Sequence, residues 1–178
     1  MAGKKGQKKA ASGCVDPLSG LYQEEHFFIV LKAELKRLRG LAGALGLVVA
    51  RFPLEPDWAE VGRAITPRLG GFEPAAKLGP QELGVLMPEA TLKKLTGFLG
   101  ELVRELPPAS LGLALAWPGQ AVKPEEFLAK ATANLTSPKE ILSYLSGSQS
   151  PFALKETAIL PAEKESLFLG FNHLNARV

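Results

Sequence analysis

The chain has 178 residues, 46% of them hydrophobic and 22% charged, with a formal net charge of +3. That length holds one domain with a proper core plus tails, and the balance is that of an ordinary soluble globular protein rather than a disordered or fibrous one. The longest apolar run, residues 41–50, stops at Arg51, far short of the roughly 20 residues a membrane span needs, and no signal peptide is expected.

The net positive charge belongs to the beginning of the chain. Lys4, Lys5, Lys8 and Lys9 lie in a stretch without acids; setting those four aside leaves 17 basic against 18 acidic residues, a balance of −1. Such a tail can touch nucleic acid or an anionic surface, but a solubilising leader is the preferred reading, and no nucleic-acid function is expected from it. Residues 1–15 are expected to be disordered, having little to bury. Cys14, the one cysteine, excludes an internal disulfide and suits a reducing, cytoplasmic setting.

Asp16-Pro17-Leu18-Ser19-Gly20 reads as a turn leading to a helix over about 23–39, with Phe27, Leu31, Leu35 and Leu38 on one stripe and Gly40 to end it. Residues 45–52 are apolar and β-branched enough for a buried strand. Asp57 with Glu60 offers a capping box for a helix carrying Trp58, Val61, Ile65 and Leu69, which Pro67 ends or kinks. Residues 72–78 and 82–87 form a hairpin across Gly79-Pro80-Gln81. A helix over 90–105 turns Leu92, Leu95, Leu99 and Leu102 inward. In a strand over 110–117, Leu111, Leu113 and Leu115 line one face, while Gly112, Ala114 and Ala116 leave the other close to a helix. Pro124 starts a helix through Leu135. Beyond it, residues 139–145 form a short helix, Thr157–Leu160 a short strand, and residues 161–174 a helix carrying Leu167, Phe168, Phe171 and Leu174, expected to dock on the body or on a second copy.

Helix, strand, helix, hairpin, helix, strand, helix is the order of an α/β sandwich. Several segments carry a family resemblance over residues 16–136. Lys77-Leu78-Gly79-Pro80-Gln81-Glu82-Leu83, running into Gly84-Val85-Leu86-Met87-Pro88, resembles the signature turn of the GGDEF domain, the diguanylate cyclase family, whose usual text is Arg-x-Gly-Gly-Asp/Glu-Glu-Phe. Asp16 to Leu21 resembles that family's Asp-x-Leu-Thr-Gly-Leu stretch, and residues 127–135 its closing helix, with Thr132 in place of an Asp. The resemblance implies an α/β (α+β) fold related to nucleotidyl cyclase and polymerase palms. Its sheet is central, mainly antiparallel and of about five strands, with helices around it. Residues 1–15 are then a basic tail, 16–136 the GGDEF-like domain and 137–178 a C-terminal extension.

The resemblance also implies where the chemistry would sit, and there this chain departs from the family. Such cyclases join two GTP molecules by phosphoryl transfer, with two metal ions held by carboxylates of the first strand and of the hairpin. Ala50 and Phe52 fall where the strand acids would be, and no shift of a residue or two recovers an Asp pair. On the hairpin Gln81 is neutral and Leu83 replaces the Phe, which leaves Glu82 alone. Pro80 removes a backbone N–H that a paired glycine would present to phosphate. The base-reading loop is deleted between Phe52 and Asp57. The inhibitory product site, Arg-x-x-Asp in the family, falls on Gly70 and Glu73.

No cyclase activity, catalytic residue, metal or cofactor is therefore expected. His26 and His173 lie far apart without a nearby cysteine, which argues against zinc. Two functions stay open. One is a catalytically inactive regulatory or scaffold module of bacterial signalling, whose partner is another protein or a second copy. The other is a nucleotide-sensing module that binds GTP or cyclic di-GMP at the degenerate signature Gly79, Pro80, Gln81, Glu82 and Leu83 without turnover. Fold kinship alone does not choose between them.

Overall fold

The computed structural model describes residues 13–40, 42–71, 73–147 and 150. In chain order the elements are β1 (Tyr22–Gln23), α1 (Glu24–Arg37) with a 3-10 turn at Leu38–Gly40, β2 (Ala44–Arg51) and α2 (Trp58–Ile65) with a 3-10 turn at Thr66–Arg68. They continue with β3 (Ala75–Gly79), β4 (Glu82–Ala90), α3 (Leu92–Glu105), β5 (Ser110–Ala116), α4 (Pro124–Ala133) and α5 (Pro138–Ser146).

One five-stranded sheet, in the order β1-β3-β4-β2-β5, divides the molecule. The pair β1 and β3 is parallel and every other pairing is antiparallel. Alternation along β2 decides the layers. Leu45, Leu47 and Val49 face α1 and α4, packing with Phe27, Leu31, Phe127 and Ala131. Val48 and Ala50 face α2, α3 and α5, packing with Val61, Leu95, Leu99 and Ile141. The expected α/β sandwich around a mainly antiparallel sheet is the fold observed.

Helix ends follow local chemistry. Asp57 caps α2, its carboxylate accepting the N–H of Ala59 and of Glu60; the capping box with both halves present lies at α5, between Ser137 and Glu140. α2 stops at Ile65, before Thr66-Pro67, as Pro67 requires. Two glycines are demanded by packing. A Cβ at Gly112 would lie 1.9 Å from the Ala131 carbonyl oxygen, so α4 rests directly on β5. A Cβ at Gly62 would lie 1.8 Å from the Ser19 carbonyl oxygen, which seats α2 on the turn before β1.

Four expectations change. Cys14 and Val15, placed in the disordered tail, pair with the start of β1: the Gln23 N–H donates to the Cys14 carbonyl at 3.1 Å, and Val15 bridges Tyr22. β3 begins at Ala75 rather than 72, because Pro74 has no N–H to give a ladder and Glu73 is tied back to Gly70, its carboxylate accepting the Gly70 N–H at 2.8 Å. β4 extends to Ala90, with an irregularity of pairing against β2 between Ala44 and Gly46 and a positive φ of 51° at Glu89. α5, assigned by sequence to the extension, buries Ile141 and Leu145 in the core between α3 and the sheet. The basic tail through residue 12, the strand at Thr157–Leu160 and the helix carrying Leu167, Phe168, Phe171 and Leu174 lie outside the described residues.

Candidate functional site

The hairpin of β3 and β4 turns through Pro80 and Gln81, with Gly79 paired to Glu82 and a register shift between Lys77 and Gly79. The turn is tied to the end of β2, where the Phe52 N–H donates to the Gln81 carbonyl at 2.9 Å. In register, Ala50 stands opposite Leu83 and Arg51 opposite Glu82. The structure therefore brings Ala50, Phe52, Gln81, Glu82 and Leu83 together at one end of the sheet, as the sequence reading implied.

What lines this end is largely apolar. Ala50 is 1% exposed, Phe52 6% and Leu83 fully buried, all in the core layer toward α2 and α3. Phe52 meets Trp58, the first residue of α2, edge to face with ring centroids 6.3 Å apart and planes at 87°. The Lys77 ammonium lies 5.0 Å above the Trp58 ring and pairs with Glu55 at 3.0 Å. Phe52, Trp58 and Lys77 thus form one contact cluster beside the hairpin. The Trp58 indole nitrogen is buried with no hydrogen-bond partner.

Glu82, the acid at the hairpin turn, is already engaged. One carboxylate oxygen accepts from Arg51 Nε at 2.9 Å and Nη2 at 2.6 Å. Gly79 presents a different case. A Cβ added there meets nothing within 4 Å and its φ is not left-handed, so the fold itself does not require glycine at that position. On the other flank, Glu73 is buried, accepts the Gly70 N–H and forms an ion pair with Lys94.

Among the described residues no group of three His, Cys, Asp or Glu side chains gathers where it could hold a metal ion, and no helix is long and apolar enough to cross a membrane. His26 stacks on Tyr22 with centroids 4.9 Å apart, Cys14 is an exposed free thiol, and His173 lies outside the described residues. Sequence reasoning missed the Arg51–Glu82 pair, the Trp58 stack and the Glu73–Lys94 pair. The first had a signal: opposite charges at the ends of two strands that pair in antiparallel register.

No family model matches the sequence, and no curated protein matches it. Solved structures do. A sensory box/GGDEF family protein from Caulobacter crescentus aligns at 19% identity and a TM-score of 0.58, over 72% of this chain and 99% of that one. The GGDEF domain of DgcB from Caulobacter crescentus, in complex with c-di-GMP, aligns at 16% identity and 0.55, over 68% and 87%. The diguanylate cyclase SiaD of Pseudomonas aeruginosa, in complex with its activator SiaC, aligns at 16% identity and 0.57, over 68% of this chain and 56% of SiaD. Matching sheet, flanking helices and hairpin place this chain in the GGDEF-like fold.

Proposed function

We propose that this protein is a GGDEF-like module that makes no cyclic di-GMP and works by protein contact, as a regulatory or scaffold element of bacterial cytoplasmic signalling. The observation that carries the reading is the end of the sheet at the signature hairpin. Two-metal phosphoryl transfer needs several carboxylate oxygens directed at a polar, open site. Here Ala50 and Phe52 are buried in the core, and the acid at the hairpin's turn, Glu82, is held by Arg51. A magnesium ion would have to displace that guanidinium and would still lack partner carboxylates. Contact with another protein is supported by kinship of fold with SiaD, which is described in complex with its activator SiaC.

Incubation with GTP and magnesium, followed by sensitive chromatography of the products, tests the reading. No protein-dependent cyclic di-GMP is expected; clear product overturns it. A second reading, nucleotide binding without turnover, is favoured by Gly79, which keeps open space at the turn without a demand from the fold, and by the DgcB domain's complex with c-di-GMP. Calorimetry with GTP and with cyclic di-GMP separates the two, since binding heat with either supports the second.

A further inference from the structure

Helix α1 has an outward face that the other described residues leave unused. Ile29 is 64% exposed, although burying a large aliphatic side chain is favourable. Beside it on the same helix, Phe28 lines a shallow groove of about 590 Å³ between α1 and α4, whose other walls include Leu128, Ala129 and Thr132. Glu25, Phe28, Ile29 and Lys32 are spaced i, i+3, i+4 and i+7, so they share one face. Among the described residues neither Glu25 nor Lys32 makes an ion pair.

We infer that this face binds a second copy of the chain, α1 against α1 and antiparallel. The sequence of the face is its own complement under a two-fold axis. If the axis passes between Phe28 and Ile29, each Ile29 lies against Phe28 of the second copy at the mouth of the groove. The same axis sets each Glu25 opposite Lys32 of the second copy, so two apolar contacts are flanked by two opposite-charge pairs. A parallel arrangement would instead set Glu25 against Glu25 and Lys32 against Lys32. Closed two-fold pairing through one self-complementary patch is also the commonest way for a soluble chain to associate. The inference rests on the protein-contact reading above and names the partner.

Sedimentation equilibrium of the full chain, from low to high micromolar concentration, tests it. A monomer–dimer equilibrium is expected, with Ile29→Glu weakening it by roughly tenfold or more, the equivalent of about 1.4 kcal/mol, at an unchanged melting temperature of the monomer. Glu25→Lys alone weakens the dimer, and Glu25→Lys combined with Lys32→Glu restores it, because the charges have only changed sides. A monomer at every concentration, a dimer indifferent to Ile29→Glu, or a charge-swapped double variant no better than the single one each overturns the self-pairing. A strictly monomeric chain that makes no cyclic di-GMP sinks only this inference. A cyclase that dimerises through α1 sinks only the function on which it rests.

Discussion

Arg51, the last residue of β2, stands opposite Glu82, the first of β4, and gives both Nε and Nη2 to a single carboxylate oxygen, at 2.9 and 2.6 Å. The two residues are 31 apart in sequence and meet because β2 and β4 pair antiparallel to their very ends. The pair neutralises the acid at the hairpin's turn without a metal. Both side chains keep contact with solvent, at 44% and 26% exposure, so the pair is screened. Arg51→Ala is expected to lower stability by only about 0.2–1 kcal/mol in chemical denaturation, and to leave the protein without cyclase activity. Production of cyclic di-GMP by that variant would mean that Arg51 alone suppresses a working site.

Placing an acid on the strand is expected to fail. Ala50 is 1% exposed and faces the layer formed with α2, α3 and α5, so the carboxylate of Ala50→Asp would be desolvated without a partner. The variant should lose several kcal/mol or fold poorly, as read by urea unfolding, rather than gain activity. A well-folded Ala50→Asp protein that binds magnesium would show that this end of the sheet opens.

Thermal melting with GTP provides an independent check on the site. A ligand that binds only the native state raises stability by about 2.7 kcal/mol at a hundredfold excess over its Kd. No upward shift is expected with GTP and magnesium at millimolar concentration. A clear shift would move nucleotide sensing ahead of protein contact.

Glycine substitutions should separate by position. Gly62→Ala and Gly112→Ala force a methyl group onto the backbone carbonyls of Ser19 and Ala131, and each should cost about 1–3 kcal/mol or more. Gly97, within α3, has nothing within 4 Å of an added Cβ. Gly97→Ala should therefore stabilise by about 0.5–1 kcal/mol, the helix-propensity difference. Equal effects at all three positions would contradict the packing described.

Acid should loosen the turn before β1. Asp16 accepts the Ser19 hydroxyl at 2.5 Å and the Ser19 N–H at 3.0 Å. The hydroxyl hydrogen bond foremost, then the backbone one, holds its carboxyl below the ordinary value of 3.8. A carboxylate with a lowered folded-state pKa contributes stability that is present above 3.8 and lost as pH falls through the folded value. Ser19→Ala should flatten the decline in melting temperature below that pH, with little change in its slope near neutrality. An unaltered acid limb would show that the turn does not depend on this carboxylate.

Much of the architecture was legible before any coordinate, wherever burial imposes a period over many residues. Leu111, Leu113 and Leu115 alternating with Gly112, Ala114 and Ala116 gave β5 both of its faces, including the one on which α4 rests. Phe27, Leu31 and Leu38 did the same for α1 and its following turn, and Leu95, Leu99 and Leu102 for α3. The local chemistry of Pro67 and Asp57 set the ends of α2. Tertiary structure alone decided the rest. Two residues cannot carry a period, so β1 exists only because β3 offers it a parallel edge. Ile141 and Leu145 look like part of a short, detached helix until α3 and the sheet supply the surface that buries them. Arg51 finds Glu82, Glu73 finds Lys94 and Phe52 finds Trp58 across turns or between separate elements. Those contacts depend on register and on the packing of α2 and α3 around the hairpin, distances that no local pattern of residues encodes.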